Sequence, residues 1–174
     1  INGAAGAYTL TFSASALTSA PTGTITIGAG VATKLSLRTP PSPTVVNGES
    51  FATPPRVRLR DAAENNVFQS GVPVTVSIAT GGGTLLGTTT VLTNTTGEAT
   101  FSDLGMLGTV GERTLAFSAP GLTGATTDVV TLTPGAATTL ALNAGDGQSA
   151  AAATAVAIAP SVVARDVSGN AVAG

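Results

Sequence analysis

The 174-residue sequence predicts an all-β fold, a sandwich of short strands, on three observations: its composition, its apolar–polar alternation, and a repeat about 105 residues long. Charged residues make up 9%, aromatics 3% and apolar residues 43% of the chain. Such a chain is too hydrophobic for a disordered linker and too poor in Leu, Glu and Lys for a helical bundle. Thr and Val, stiff at χ1, fit a pleated surface, and the 22 Gly and 10 Pro supply frequent turns.

The alternation places the strands in order between residues 31 and 135. Leu35 and Leu37 mark the first, Val57 and Leu59 the second, and Val74, Val76 and Ile78 the third. Gly81-Gly82-Gly83 ends that run as a flexible turn, and Leu85 and Val91 mark two shorter strands. Asn94-Thr95-Thr96-Gly97 reads as a turn before Ala99 and Phe101; Leu115 and Phe117 follow, then Val130 and Leu132. Seven or eight short strands with no helical period is the pattern of an immunoglobulin-like β-sandwich. Phe51, Phe101, Leu115 and Phe117 are the expected core anchors.

Self-similarity sets the organisation. Residues 6–37 align without a gap to 111–142, with 16 of 32 pairs identical. The same shift of 105 pairs Pro55 with Pro160, Arg60 with Arg165, Asp61 with Asp166 and Asn65 with Asn170. A period of this length is one complete sandwich, far longer than the roughly 20–50 residues of a solenoid unit. The sequence thus divides into 1–30, the last strands of a preceding domain; 31–135, a complete domain; and 136–174, the first strands of a following one.

The run Pro55-Arg56-Val57-Arg58-Leu59-Arg60-Asp61-Ala62-Ala63-Glu64-Asn65-Asn66-Val67, followed by Gly71-Val72-Pro73-Val74-Thr75-Val76, resembles the start of bacterial group 1 immunoglobulin-like domains, the invasin and intimin type. Gly81-Gly82-Gly83-Thr84-Leu85, Thr96-Gly97-Glu98-Ala99-Thr100-Phe101 and Leu122-Thr123-Gly124 extend the resemblance in the family's order, and Arg165-Asp166-Val167-Ser168-Gly169-Asn170 matches it again. The resemblance implies an extracellular or cell-surface tandem array acting as spacer, stalk or fibre. It implies neither catalysis nor a receptor site, since adhesion in that family sits in a separate terminal module.

Absences narrow the chemistry further. Without His or Cys there is no Ser-His-Asp or Cys-His nucleophile system, no imidazole or thiolate zinc site and no disulfide. A net charge of −2 provides no global field to collect nucleic acid or anionic lipid. Residues 147–164 are uncharged, but Ala, Ser and Thr transfer weakly into lipid and Pro160 interrupts them, so no membrane span is expected. The nine acids are scattered, with no pair placed for glycosidase chemistry, and no cofactor is expected. Lys34 is the single lysine and Thr139 stands at its repeat position, which disfavours a Lys–Asn crosslink.

Four candidate features remain. Asp61, Glu64, Asn65 and Asn66, echoed by Asp166 and Asn170, could offer oxygens to calcium between domains, but the spacing matches no calcium loop and the expectation is a turn. Arg56, Arg58 and Arg60 share one strand face, read as a solvated or edge-protecting stripe. Asn94-Thr95-Thr96 is a formal N-glycosylation sequon. The glycine triplet lacks the Gly-Lys-Ser/Thr of a phosphate loop.

The expectation is therefore a structural, non-enzymatic array whose partners are its own head-to-tail neighbours, with glycans as further partners. The alternative is an adhesin or carbohydrate-binding module using sandwich-end loops, against which the scarcity of aromatics weighs. Neither end segment can close a sandwich alone. Each is expected to expose an apolar face and an unpaired edge, completed either by further residues of a longer chain or by strands of a second copy. The second option leaves the equivalents of 70–105 unfilled.

Overall fold

The computed structural model describes residues 3–173 and is all-β, with several sheets. The first segment holds β1 (Gly6–Tyr8), β2 (Thr11–Phe12), β3 (Ala20–Pro21) and β4 (Ile25–Ile27). The middle holds β5 (Lys34–Thr39), β6 (Thr44–Val46), β7 (Arg56–Arg60), β8 (Pro73–Thr80), β9 (Thr84–Leu86) and β10 (Thr90–Leu92). It continues with β11 (Glu98–Thr100), β12 (Gly105–Leu107), β13 (Gly111–Ser118), β14 (Ala125–Thr126) and β15 (Val130–Thr133). The last segment holds β16 (Thr139–Ala144), β17 (Ser161–Arg165) and β18 (Ala171–Val172).

Two sheets enclose the core. One has the order β11-β7-β5; the other runs β10-β8-β13-β15-β6, with β14 beside β13. Their strands alternate buried with more exposed positions, so each sheet turns one apolar face inward, as in β7, where Val57 and Leu59 are buried between partly buried arginines. Leu35, Val57, Leu59 and Ala99 from the first sheet meet Val74, Val76, Leu115, Phe117, Val130 and Leu132 from the second in one cluster. All four expected anchors lie in it, and the Phe101 and Phe117 rings pack tilted at 5.2 Å between centroids. Among the described residues, every buried apolar side chain of the core lies between Leu35 and Leu132.

The matching stretches of sequence pair their strands in the same register. Gly6↔Ile27 recurs as Gly111↔Leu132, and Phe12↔Ala20 as Phe117↔Ala125. Leu35↔Leu59 recurs as Leu140↔Ala164, and the slip between Leu37 and Thr39 recurs between Leu142 and Ala144. Even the bridge Arg60↔Asn66 returns as Arg165↔Ala171. One strand has no counterpart: β6 lies parallel to β15, whereas residues 149–151, which stand at its repeat position, form no strand.

One expectation needs correction: the arginines do not protect an edge, because β7 is the central strand of its sheet. Gly81, Gly82 and Gly83 turn the chain between β8 and β9 with left-handed φ (87°, 68° and 104°), and a Cβ on Gly81 would overlap the Glu112 carbonyl. No described helix is long and apolar enough to cross a membrane, and β17 occupies part of the uncharged stretch.

Candidate functional site: a repeated Asp–Asn junction

Strand β7 stops at Arg60 because the chain turns back at once: the Asp61 amide donates to the Asn65 carbonyl at 3.1 Å and Glu64 to the Asp61 carbonyl at 3.2 Å. Glu64 thereby takes a left-handed φ of 65°. After β17 the same turn forms, with Asp166 donating to Asn170 at 3.0 Å, and here Gly169 holds the left-handed position.

The aspartate at the head of each turn collects backbone amides from two directions. Asp61 Oδ1 accepts from the Ala63 and Asn65 amides at 2.9 and 2.8 Å, which fixes the turn. Its Oδ2 accepts from Asn65 Nδ2 at 2.9 Å and from the Gly30 amide at 2.8 Å, which ties in the chain arriving from the first segment. Asn65 completes the clasp, donating to the Gly3 carbonyl at 3.1 Å and accepting from the Ala5 amide at 2.6 Å.

Asp166 repeats every bond. Its Oδ1 accepts from Ser168 and Asn170 amides, each at 2.9 Å, and its Oδ2 from Asn170 Nδ2 at 2.8 Å and the Gly135 amide at 2.9 Å. Asn170 donates to the Gly108 carbonyl and accepts from the Val110 amide, both at 2.9 Å. A fifth donor enters here, Asn47 Nδ2 at 2.8 Å, while Asn47 Oδ1 accepts from the Gly108 amide at 2.9 Å. Gly135 must be glycine, since a Cβ would overlap the Asn47 carbonyl.

The electrostatics follow from the donors. The Asn65 side chain first, then the Gly30 amide and the turn amides, outweigh burial and hold the Asp61 carboxyl down at about 2. Around Asp166 desolvation pushes upward, but the bonds from Asn170, Gly135 and Asn47 win and the carboxyl stays well below the ordinary range. Such a carboxylate presents its lone pairs to N–H groups rather than to open space. Glu64, the third calcium candidate, is exposed and pairs with Lys34. Among the described residues no three acidic, His or Cys side chains gather as a metal set.

A second charged cluster centres on Glu98, which the sequence reading did not single out. This buried carboxylate at the start of β11 bonds to Arg56 Nη2 at 2.6 Å and to Arg58, and Arg38 Nε lies 3.4 Å away. Arg60 turns to Ser36 Oγ at 3.1 Å and to the Glu64 carbonyl at 2.7 Å, and Arg165 repeats that last bond with Gly169. The stripe is therefore largely tied into the fold. Asn94 is exposed between β10 and β11; its Oδ1 accepts from the Thr96 amide and hydroxyl at 2.9 and 2.7 Å and from the Glu98 amide at 3.1 Å. Pro40, Pro41, Pro43 and Thr127 to Val130 line one shallow groove, and the Gly30–Asp61 junction lines another.

No known family's sequence profile matches the chain, and no curated protein does. Among solved structures it is similar to a glycosyl hydrolase family 2 member from Bacteroides cellulosilyticus, at 18% identity and a TM-score of 0.47. That likeness covers 66% of this chain and 16% of the hydrolase's length.

Proposed function

We propose that the chain is a stretch of an extracellular bacterial stalk or fibre, in which immunoglobulin-like sandwiches follow one another head to tail and the role is structural, not catalytic. The observation that carries this reading is the junction. Domains joined by a plain linker move freely unless something fixes the boundary. Here the amides of Gly30 and Gly135, each lying where one unit passes into the next, are held by a buried carboxylate of the following turn, and Asn65 and Asn170 hold the preceding loop as well. A device that fixes the angle between successive units, used twice at one spacing, is what length and stiffness require. The resemblance to the invasin and intimin type points the same way.

Antibodies raised against this chain test the reading on intact, unpermeabilised cells that make it. Labelling of surface fibres or stalks in electron micrographs is the expected result. Labelling only after the cells are opened would overturn it.

A further inference from the structure

We propose that the outer face of the β11-β7-β5 sheet binds a linear acidic polysaccharide, whose carboxylates pair with the guanidiniums of Arg38 and Arg56 and follow the line of β7. This adds a ligand to the structural role and holds whether or not the units form a stalk. It starts from the distribution of charge. Five of the chain's seven cations, Lys34, Arg38, Arg56, Arg58 and Arg60, stand on the outer face of two paired strands, β5 and β7. Among the described residues two acids, Glu64 and Glu98, form ion pairs with them. The face therefore carries +3, while the other two cations and seven acids give the rest of the chain −5.

Hydrogen bonds tie these side chains to the fold without neutralising them. Glu98 faces three guanidiniums with one carboxylate: Oε2 accepts from Arg56 Nη2 at 2.6 Å, and Oε1 is shared between Arg58 and Arg38, whose Nε lies 3.4 Å away. Arg58 Nε is buried with no hydrogen-bond partner among the described residues. Desolvation first, then repulsion from Arg38, Arg60 and Arg56, pushes the Arg58 guanidinium below its ordinary value, as a positive field left uncompensated does. The Arg38 and Arg56 side chains remain 52% and 41% exposed, so a ligand reaches them from solvent. The repeat shows that the fold does not need this charge. β16 and β17 pair in the register of β5 and β7, yet Thr139, Asn143, Ser161 and Val163 stand where Lys34, Arg38, Arg56 and Arg58 do. Arg60 alone recurs, as Arg165, and both bond to a carbonyl of the following turn. The structural cation is kept, and the other four answer to something outside the fold.

Geometry and chemistry select the partner. Outward positions along a strand lie about 6.6 Å apart and neighbouring strands about 4.8 Å, so the arginines of β7 form a row that suits a linear polyanion better than one compact anion. A guanidinium fork matches a planar carboxylate, and Glu98 already sits between Arg56 and Arg58 on this surface. The hydroxyls of Ser36 and Thr100 lie among the arginines and accept from Arg60 Nε and Arg56 Nε, which leaves their own protons for a sugar oxygen. No aromatic stands at an outward position of the three strands, so a nucleic acid base has nothing to stack on. No large apolar side chain stands there either, so the face has nothing to bury in a lipid surface.

Titration of the 174-residue protein with oligogalacturonate, followed by calorimetry and by amide NMR shifts, tests this. Saturable binding is expected, weakening as salt rises from about 20 to about 200 mM, with the largest shifts in β5, β7 and β11. Arg38→Gln combined with Arg56→Gln should lower the affinity about tenfold or more, because two charge-assisted contacts are lost. Ser77→Glu combined with Thr126→Glu makes the same change in net charge at exposed positions of the other sheet, and should stay within about twofold of the wild type. A thermal transition shared by all forms is the folding control, and where a variant fails it the shift map of the wild type decides. No binding at low salt, shifts confined to another face, or an arginine pair that binds like the wild type would overturn the proposal. Tighter binding of polyglutamate, dextran sulfate or an oligothymidylate than of the uronate would overturn it too, and would assign the face to an acidic protein, a sulfated chain or a nucleic acid. None of these results touches the stalk reading, which cell labelling tests separately.

Discussion

Asp61 and Glu98 show how single carboxylates shape this molecule. The folded Asp61 carboxyl sits at about 2, against about 3.9 for a free side chain, so its charge stabilises the junction fully above about pH 4. The contribution falls away as pH drops through about 2. An NMR titration of the Gly30 amide proton is expected to show a midpoint near 2; a midpoint near 4 would mean that the carboxylate is not held. Glu98 neutralises part of a cluster of three guanidiniums, and Glu98→Gln would leave Arg58, mostly buried, without its partner. Removing one member of a buried pair costs about 3–5 kcal/mol; with Arg38 and Arg56 roughly half exposed, about 2 kcal/mol is expected from denaturant unfolding. Neither role was fully legible in sequence. The shift of 105 flagged Asp61 with Asp166 and Asn65 with Asn170 as a pair of turns, but a turn residue and an anchor for a neighbouring unit look alike until the amides of Gly30 and Gly135 are placed. Asn47 and Glu98 gave no repeat signal, since Ala152 stands at the first one's counterpart and the second's lies outside the sequence.

Strands declare themselves when alternation runs long enough. The apolar beats of β5, β7, β8, β13 and β15 were readable because each carries at least two inward residues, and the four expected anchors are all buried. The strands that went unread are β6, β12 and β14, with three, three and two residues. At that length there is no period to see, and pairing with a neighbour decides. At the repeat position of β6, Ser149-Ala150-Ala151 stands in place of Thr44-Val45-Val46 and forms no strand. Burial obeys the same context. Leu35→Ala should destabilise the middle sandwich by about 2–5 kcal/mol, while Leu140→Ala, the same residue in the same register, should stay within about 0.5 kcal/mol for dilute protein. Equal losses in denaturant unfolding would show that the last segment has a closed core of its own.

At the scale of the whole molecule the account reduces to orientation. If Asp166 fixes its turn to Gly135 and Asn47, and Asn170 to Gly108 and Val110, then the last segment cannot swing about the middle sandwich. Loss of those bonds should free it without unfolding the core, which lies entirely between Leu35 and Leu132. Residual dipolar couplings from the weakly aligned protein measure this directly. Amides of the middle sandwich and of β16 to β18 should fit a single alignment tensor in the wild type, and two tensors of different magnitude in Asp166→Asn. Two tensors already in the wild type would contradict the account, because a hinge at that junction cannot belong to a stiff stalk.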